Sequence, residues 1–204
     1  MIKTLAHLLS VASIAGAALC CAQEPPSSDP SSVQTGNYRL ESTHARIIFS
    51  VSHLGFSTWY GEFTRPTGTA RLDSRQPEAS VLDITVPVAN ISTSNTTLDG
   101  ELRGADWFDV AKYPTITYKS RTVTQKGPGE YEVLGDLTMH GVTRPVTLVA
   151  KFNMGGINMM DKAFTVGYDA TARIHRSDFG ITKYVGAIGN EVTIQISAPF
   201  EKAP

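Results

Sequence analysis

Cysteine is nearly missing from this chain. Of 204 residues only Cys20 and Cys21 carry a thiol, and both precede the part that reads as folded, which begins near Asn37. That part has no disulfide framework to draw on, so a hydrophobic core must hold it. Charge imbalance is missing too. The 18 basic and 19 acidic residues leave a formal net charge of −1, which removes the electrostatic case for nucleic acid. Metal-ligand spacing is absent as well. His44, His53, His140 and His175 form no His-x-His or His-x-x-x-His pair, and no cysteine is placed to complete a zinc set. Nor is there a Gly-x-Ser-x-Gly nucleophile elbow. The acidic stretch Asp99, Glu101, Asp106 and Asp109 offers paired carboxylates of the kind glycoside hydrolysis uses. These residues flank Trp107 and Phe108, however, in a stretch where charges turn to water while aromatics pack. No catalytic residues, metal or cofactor are expected.

Long apolar runs are limited to one. Met1-Ile-Lys-Thr supplies a positive charge ahead of the run Leu5 to Leu19, the pattern of a signal peptide. The run falls short of the roughly 20 residues a membrane span needs, so the mature protein is expected to carry no transmembrane span. Two processing outcomes compete. Cleavage after Ala22 leaves Gln23 first and a soluble protein of the bacterial periplasm; lipidation at Cys20 or Cys21 leaves a membrane-tethered lipoprotein. Residues 1–22 are thus read as the leader, 23–36 as a Ser/Pro-rich flexible tether, and 37–204 as one folded domain.

What is present in that domain is alternation. In Gly135 to Phe152, Leu137 and Met139 point one way and Thr138 the other. Gly141 permits a turn at positive φ, and Val146, Leu148, Ala150 and Phe152 resume the pattern. Similar strands are expected over Tyr38–Glu41, Ala45–His53, Phe56–Phe63, Thr67–Leu72, Val81–Val88, Thr115–Val123, Ala163–Ile174 and Glu191–Phe200. Only Thr96 to Phe108 departs, with Leu98, Leu102 and Ala105 at helical spacing and Asp99 with Arg103 as an i,i+4 pair. Gly100 and Gly104 weaken that helix by about 1 kcal/mol each relative to alanine, so packing must retain it as a cover. Asp178 is expected to fix a turn through backbone amides, and His140 to serve as a structural histidine beside its turn.

Eight or nine sequential strands with short turns indicate an all-β sandwich or barrel, with up-and-down connection the more economical. About eight strands closed into a barrel leave an interior that side chains fill or that holds one small ligand. Periodicity does not choose between these. Phe49, Phe56, Trp59, Phe63, Trp107, Phe108, Phe152 and Phe164 are candidates to converge on that interior.

Several segments in order then resemble the YceI-like family. They are His44 to Phe49, Val51-Ser-His-Leu-Gly-Phe-Ser-Thr58 with Gly61 and Phe63, Ser94-Asn95 through Leu102-Arg103 to Ala105-Asp-Trp-Phe-Asp109, Tyr113 to Ser120, Gly135 to Leu148, and Arg176-Ser-Asp-Phe-Gly180. The resemblance covers about residues 37 to 200. It implies an eight-stranded antiparallel lipocalin-like barrel with a short helical segment near residues 96–109, whose apolar channel holds a polyisoprenoid, as a quinone or a prenyl phosphate. Departures at Glu101 and at Ser92 to Asn95 mean that no head-group preference carries over. The lining expected is Phe49, Val51, Phe56, Trp59, Leu98, Leu102, Trp107, Phe108, Met139, Leu148 and Phe164, with His53 or Arg103 near the mouth. A homodimer is a further partner state the reading allows. The alternatives are a filled barrel acting as a stress-protection or interaction module and, behind it, a lipid-modifying enzyme using Asp106, Asp109 or a histidine.

Overall fold

The computed structural model describes residues 25–204; the leader, Cys20, Cys21 and Gln23 lie outside them. Eleven strands follow in order: β1 (Gly36–Leu40), β2 (Arg46–His53), β3 (Ser57–Thr64), β4 (Thr67–Leu72), β5 (Val81–Pro87), β6 (Ile91–Ser92), β7 (Thr115–Gly127), β8 (Glu130–Met139), β9 (Val142–Ile157), β10 (Phe164–His175) and β11 (Ile188–Lys202). One helix, α1 (Thr96–Arg103), stands between β6 and β7.

The pairings resolve these into eight staves. β1 and β2 run in one direction along β11, β1 against Phe200 to Lys202 and β2 against Ile188 to Ser197. β3 and β4 likewise form one interrupted stave, β3 on β2 and β4 on β1. β5 and β6 continue that row, on β4 and β3. β7, β8, β9 and β10 then follow singly to β11, which closes on β1 and β2. Every stave is antiparallel to the one before it in sequence, so the molecule is a closed up-and-down barrel. Closure leaves no free sheet edge along the ring.

Three short interruptions make the composite staves. Glu41 to Ala45 turns between β1 and β2, where the Glu41 carboxylate accepts from the Thr43 and His44 amides and meets the His44 ring at 2.5 Å. Arg65, at φ 55°, precedes the fully buried Pro66 between β3 and β4. A 3-10 turn over Val88–Asn90 separates β5 from β6.

The hairpin between β8 and β9 has positive φ at both central residues, His140 at 51° and Gly141 at 74°, as a type I′ turn requires. Its second strand is longer than the alternation shows: Met154 to Ile157 extend β9 beyond Phe152 to meet Phe164 to Gly167. The helix is shorter than expected. It ends at Arg103, where Gly104 is extended and its amide closes on Glu101 O. Within the stretch expected as a tether, Ser27 to Val33 meet the barrel. Ser27 exchanges both backbone bonds with Gly155, at 2.8 and 2.9 Å, and a 3-10 turn over Pro30–Ser32 lies against the barrel with Val33 buried.

Two apolar clusters fill the wall. An upper one gathers Phe63, Val88, Ile91, Leu102, Ile116, Met139, Phe179 and Ile181 at the end that carries α1. A lower one gathers Val33, Tyr38, Leu40, Ala45, Phe152, Val166 and Phe200 at the end where the N-terminal segment docks.

Candidate ligand cavity

The inward faces of the staves surround a cavity of about 870 Å³, within the ordinary range for ligand sites, roughly 300–1,000 Å³. It runs from His53, Trp59 and Tyr184 at the upper end to Pro30, Val33 and Arg75 at the lower end. Period two explains the lining: Ile47, Phe49, Val51 and His53 from β2, Leu82, Ile84 and Val86 from β5, and Val192, Ile194, Ile196 and Ala198 from β11. On β7 the parity changes. Ile116 and Tyr118 line the cavity, then Val123 and Gln125, because a bulge between Ser120 and Thr122 turns the strand by one residue.

The upper end is covered by residues 93–114. Asn95 caps α1, its side-chain oxygen accepting from Thr97 N and Leu98 N at 3.1 Å each. After the helix, Phe108 N donates to Leu102 O at 3.0 Å and Asp109 N to Gly104 O at 2.9 Å. This winding turns Trp107 and Phe108 into the cavity wall. The Phe108 ring meets Phe63 edge-on at 5.5 Å, and Phe63 meets Phe49 at 5.6 Å. The expected Asp99–Arg103 pair does not form. Asp99 is buried and accepts from Thr93 N and Thr93 Oγ1, both at 2.7 Å, while Arg103 donates to Ala89 O and Ile91 O. Both side chains bind backbone of the neighbouring turn, which holds the helix over the barrel more firmly than an exposed ion pair would.

Of the residues expected to line the channel, Phe49, Val51, His53, Trp59, Leu98, Leu102, Trp107, Phe108, Met139 and Leu148 do surround the cavity. Three stand elsewhere. Phe56 is 92% exposed at the tip of the β2–β3 hairpin, past the point where β2 alternation applies. Arg103 lies outside the wall as the staple just described, and Phe164 packs beside the lower cluster.

One residue of the upper end was not legible. Arg176 is buried, and its guanidinium donates to the carbonyls of Gly189 (2.9 Å), Ile181 (3.0 Å), Lys183 (2.8 Å) and Ile188 (3.1 Å). It also lies 5.4 Å from the Trp107 ring centroid. Burial pushes its pKa down. Its neighbour Asp178, expected to fix the turn, is exposed and only reaches His175 at 3.9 Å. Ser177 N is instead held by Asn190 Oδ1 at 3.0 Å. A lone arginine at the end of a strand gives no sequence signal of four carbonyl partners, because those belong to a loop that folds back and to the start of β11.

His140 keeps its structural part, its Nδ1 3.1 Å from Phe179 O and its ring 4.7 Å from Tyr113. Deeper in the barrel, Tyr118 is buried and its hydroxyl donates to Val133 O at 2.7 Å, with Val146 O at 3.2 Å. Burial pushes the pKa of Tyr118 and Tyr168 upward. Both stay neutral, which suits an apolar lumen. Among the described residues no cluster of three or more His, Cys, Asp or Glu is placed to hold a metal ion, and no helix is long and apolar enough to cross a membrane.

Comparison with known proteins adds to this geometry. A model of the YceI-like domain matches residues 38–200. Protein YceI of Escherichia coli is 36% identical over 168 residues, covering 81% of this chain and 87% of that protein. A UPF0312 protein of Ectopseudomonas mendocina is also 36% identical, over 76% of this chain and 80% of its own length. Among solved structures, BcnA of Burkholderia cenocepacia superposes with a TM-score of 0.71 at 21% identity, over 78% of this chain and 98% of that one. A polyisoprenoid binding domain from Saccharophagus degradans superposes with a TM-score of 0.64 at 13% identity, over 83% and 100%. At these identities the structural likenesses speak for the fold.

Proposed function

The chain belongs to the YceI-like family of binding-type barrels, and on that premise we propose that its cavity holds a long, slender polyisoprenoid chain, carried as a quinone or prenyl phosphate. The observation that carries this reading is the cavity itself, which is lined by aliphatic and aromatic side chains over most of its length and spans both clusters. Burial of one isoprene unit gains about 3–4 kcal/mol at roughly 0.8 per carbon group. Association costs an estimated 4–15 kcal/mol, so several units give useful affinity without a charged clamp. The ten lining residues named above are the proposed contacts, with His53 and Tyr184 at the upper mouth. The polyisoprenoid-binding relative of the same fold supports the ligand class.

A filled barrel, the competing reading, is disfavoured by a lumen of this volume. The ring closes within one chain, so enclosure of a ligand needs no second copy. Export to the bacterial periplasm, soluble or anchored at Cys20 or Cys21, rests on the leader sequence. Mass spectrometry of the mature N-terminus decides between these, a free Gln23 ruling out the anchor.

The binding test is native mass spectrometry of the exported protein, with lipid extraction and titration with geranylgeraniol and solanesol. A co-purifying isoprenoid, or saturable binding of either polyprenol, is expected. A protein that emerges empty and takes up neither overturns the reading.

A further inference from the structure

Eight staves enclose an interior that side chains can fill or that can hold one small ligand; this barrel stays open. Three inward positions have no side chain: Gly61 on β3, in register with Phe49; Gly68 on β4, in register with Ile84; and Gly135 on β8, in register with Ser120 and two pairs from Tyr118. None of the three has a positive φ, so backbone freedom is not why glycine stands there. The reason is what a Cβ would strike. At Gly61 it would lie 2.3 Å from Phe49 Cζ; at Gly68, 2.5 Å from Ile84 Cδ1; at Gly135, 2.5 Å from Tyr118 Cζ. Each glycine lies under the far end of a large side chain of the adjoining strand, and at Gly61 and Gly135 that side chain is aromatic, the arrangement by which a cross-strand aromatic covers a strand glycine. A side chain seated on the wall leaves the axis clear.

We infer that Gly61, by seating Phe49, sets the calibre of the lumen and so its selectivity for a slender chain over a fused-ring isoprenoid. This rests on the binding reading above. Gly61 is singled out because its obstruction is made wholly of Phe49 side-chain atoms, at 2.3, 2.8 and 3.0 Å. At Gly68 and Gly135 the nearest atoms include the backbone oxygens of Asp83 (2.4 Å) and Lys119 (2.6 Å), so a methyl group there would shift the sheet itself. In Gly61→Ala, the methyl group stands beneath the Phe49 ring and Phe63 stands beside it. The free direction is into the lumen that Phe49 already lines.

The test compares Gly61→Ala, Phe49→Ala and the double variant in the full mature protein, titrated with geranylgeraniol and with lanosterol as a fused-ring probe. Gly61→Ala is expected to lose roughly tenfold or more in geranylgeraniol affinity, the scale of overpacking, and Phe49→Ala in the same chain to restore it. Phe49→Ala alone is expected to gain lanosterol binding. Gly61→Ala that binds geranylgeraniol as the parent does, or a folded double variant that fails to recover, overturns the inference. If the parent binds neither probe, the function reading falls by itself. The inference is then decided by a crystal structure of Gly61→Ala: a Phe49 ring displaced toward the axis sustains it, and an unmoved ring refutes it.

Discussion

The two ends of the barrel are closed by different means. The upper end is covered by a continuous insertion between staves, residues 93–114, locked by Asn95, Asp99 and Arg103 and by the Arg176 guanidinium gripping four carbonyls of the facing loop and the start of β11. The lower end is closed by the segment from Ser27 to Val33, held through the two Ser27–Gly155 backbone bonds and the packing of Val33. The insertion opens only by breaking buried polar contacts; a segment held by two backbone bonds and one buried side chain opens at lower cost. The contrast places local opening at the lower end and rigidity at the upper one.

Removing Arg176 is the severest way to break that contrast. Each buried carbonyl left without its donor costs roughly 1–3 kcal/mol, so Arg176→Ala is expected to lose about 3 kcal/mol or more of unfolding free energy in urea. Amide exchange over residues 181–189 should rise with it. A variant with parental stability would show that the upper loop is held by packing alone.

A smaller effect is expected below. Ser27→Pro removes the amide that donates to Gly155 O and should cost about 1 kcal/mol, the value of one backbone bond. Limited proteolysis should then cut ahead of Val33 while exchange at the upper loop stays unchanged. Equal loosening of both ends would defeat the comparison.

The smallest effect is a pH dependence. Although burial acts to raise the Glu41 pKa, hydrogen bonds from Thr43 and His44 outweigh it and hold the carboxyl at about 2, against an ordinary 4.5. A depressed carboxylate stabilises the fold above its unfolded pKa, and the contribution is lost as pH falls from 4.5 toward about 2. Glu41 precedes Ala45 of the lower cluster, so acid should loosen that half first. Urea unfolding across this window should show a shallower pH slope for Glu41→Gln than for the parent.

Particular residues show what could be read in advance. The β8–β9 hairpin was legible as two strands about a turn at Gly141, since alternation on both sides is a short-range signal; its type I′ geometry, with His140 also at positive φ, was not. Strand β6 was not, because two residues carry no period. Phe56 misled for a related reason: alternation stops at the hairpin tip, and an aromatic beyond it has no assigned face. The Asp99 and Arg103 side chains have the right spacing for each other, yet nearer backbone partners took both. Ten of the thirteen expected contact positions surround the cavity, eight because they follow strand parity or the helix face and Trp107 and Phe108 because of the winding after the helix.

By itself the sequence determined a meander of strands with one apolar face each, a short helical interruption, and membership of a barrel family, all of which local periodicity and ordered motifs carry. Whether the enclosed space is filled or hollow was decided by tertiary structure. Phe49 lies on Gly61, and Tyr118 beside Gly135, only because the staves meet in one register. A ring that lies along the wall and a ring that blocks the lumen have the same period along their own strand; the glycine that separates the two outcomes stands on another.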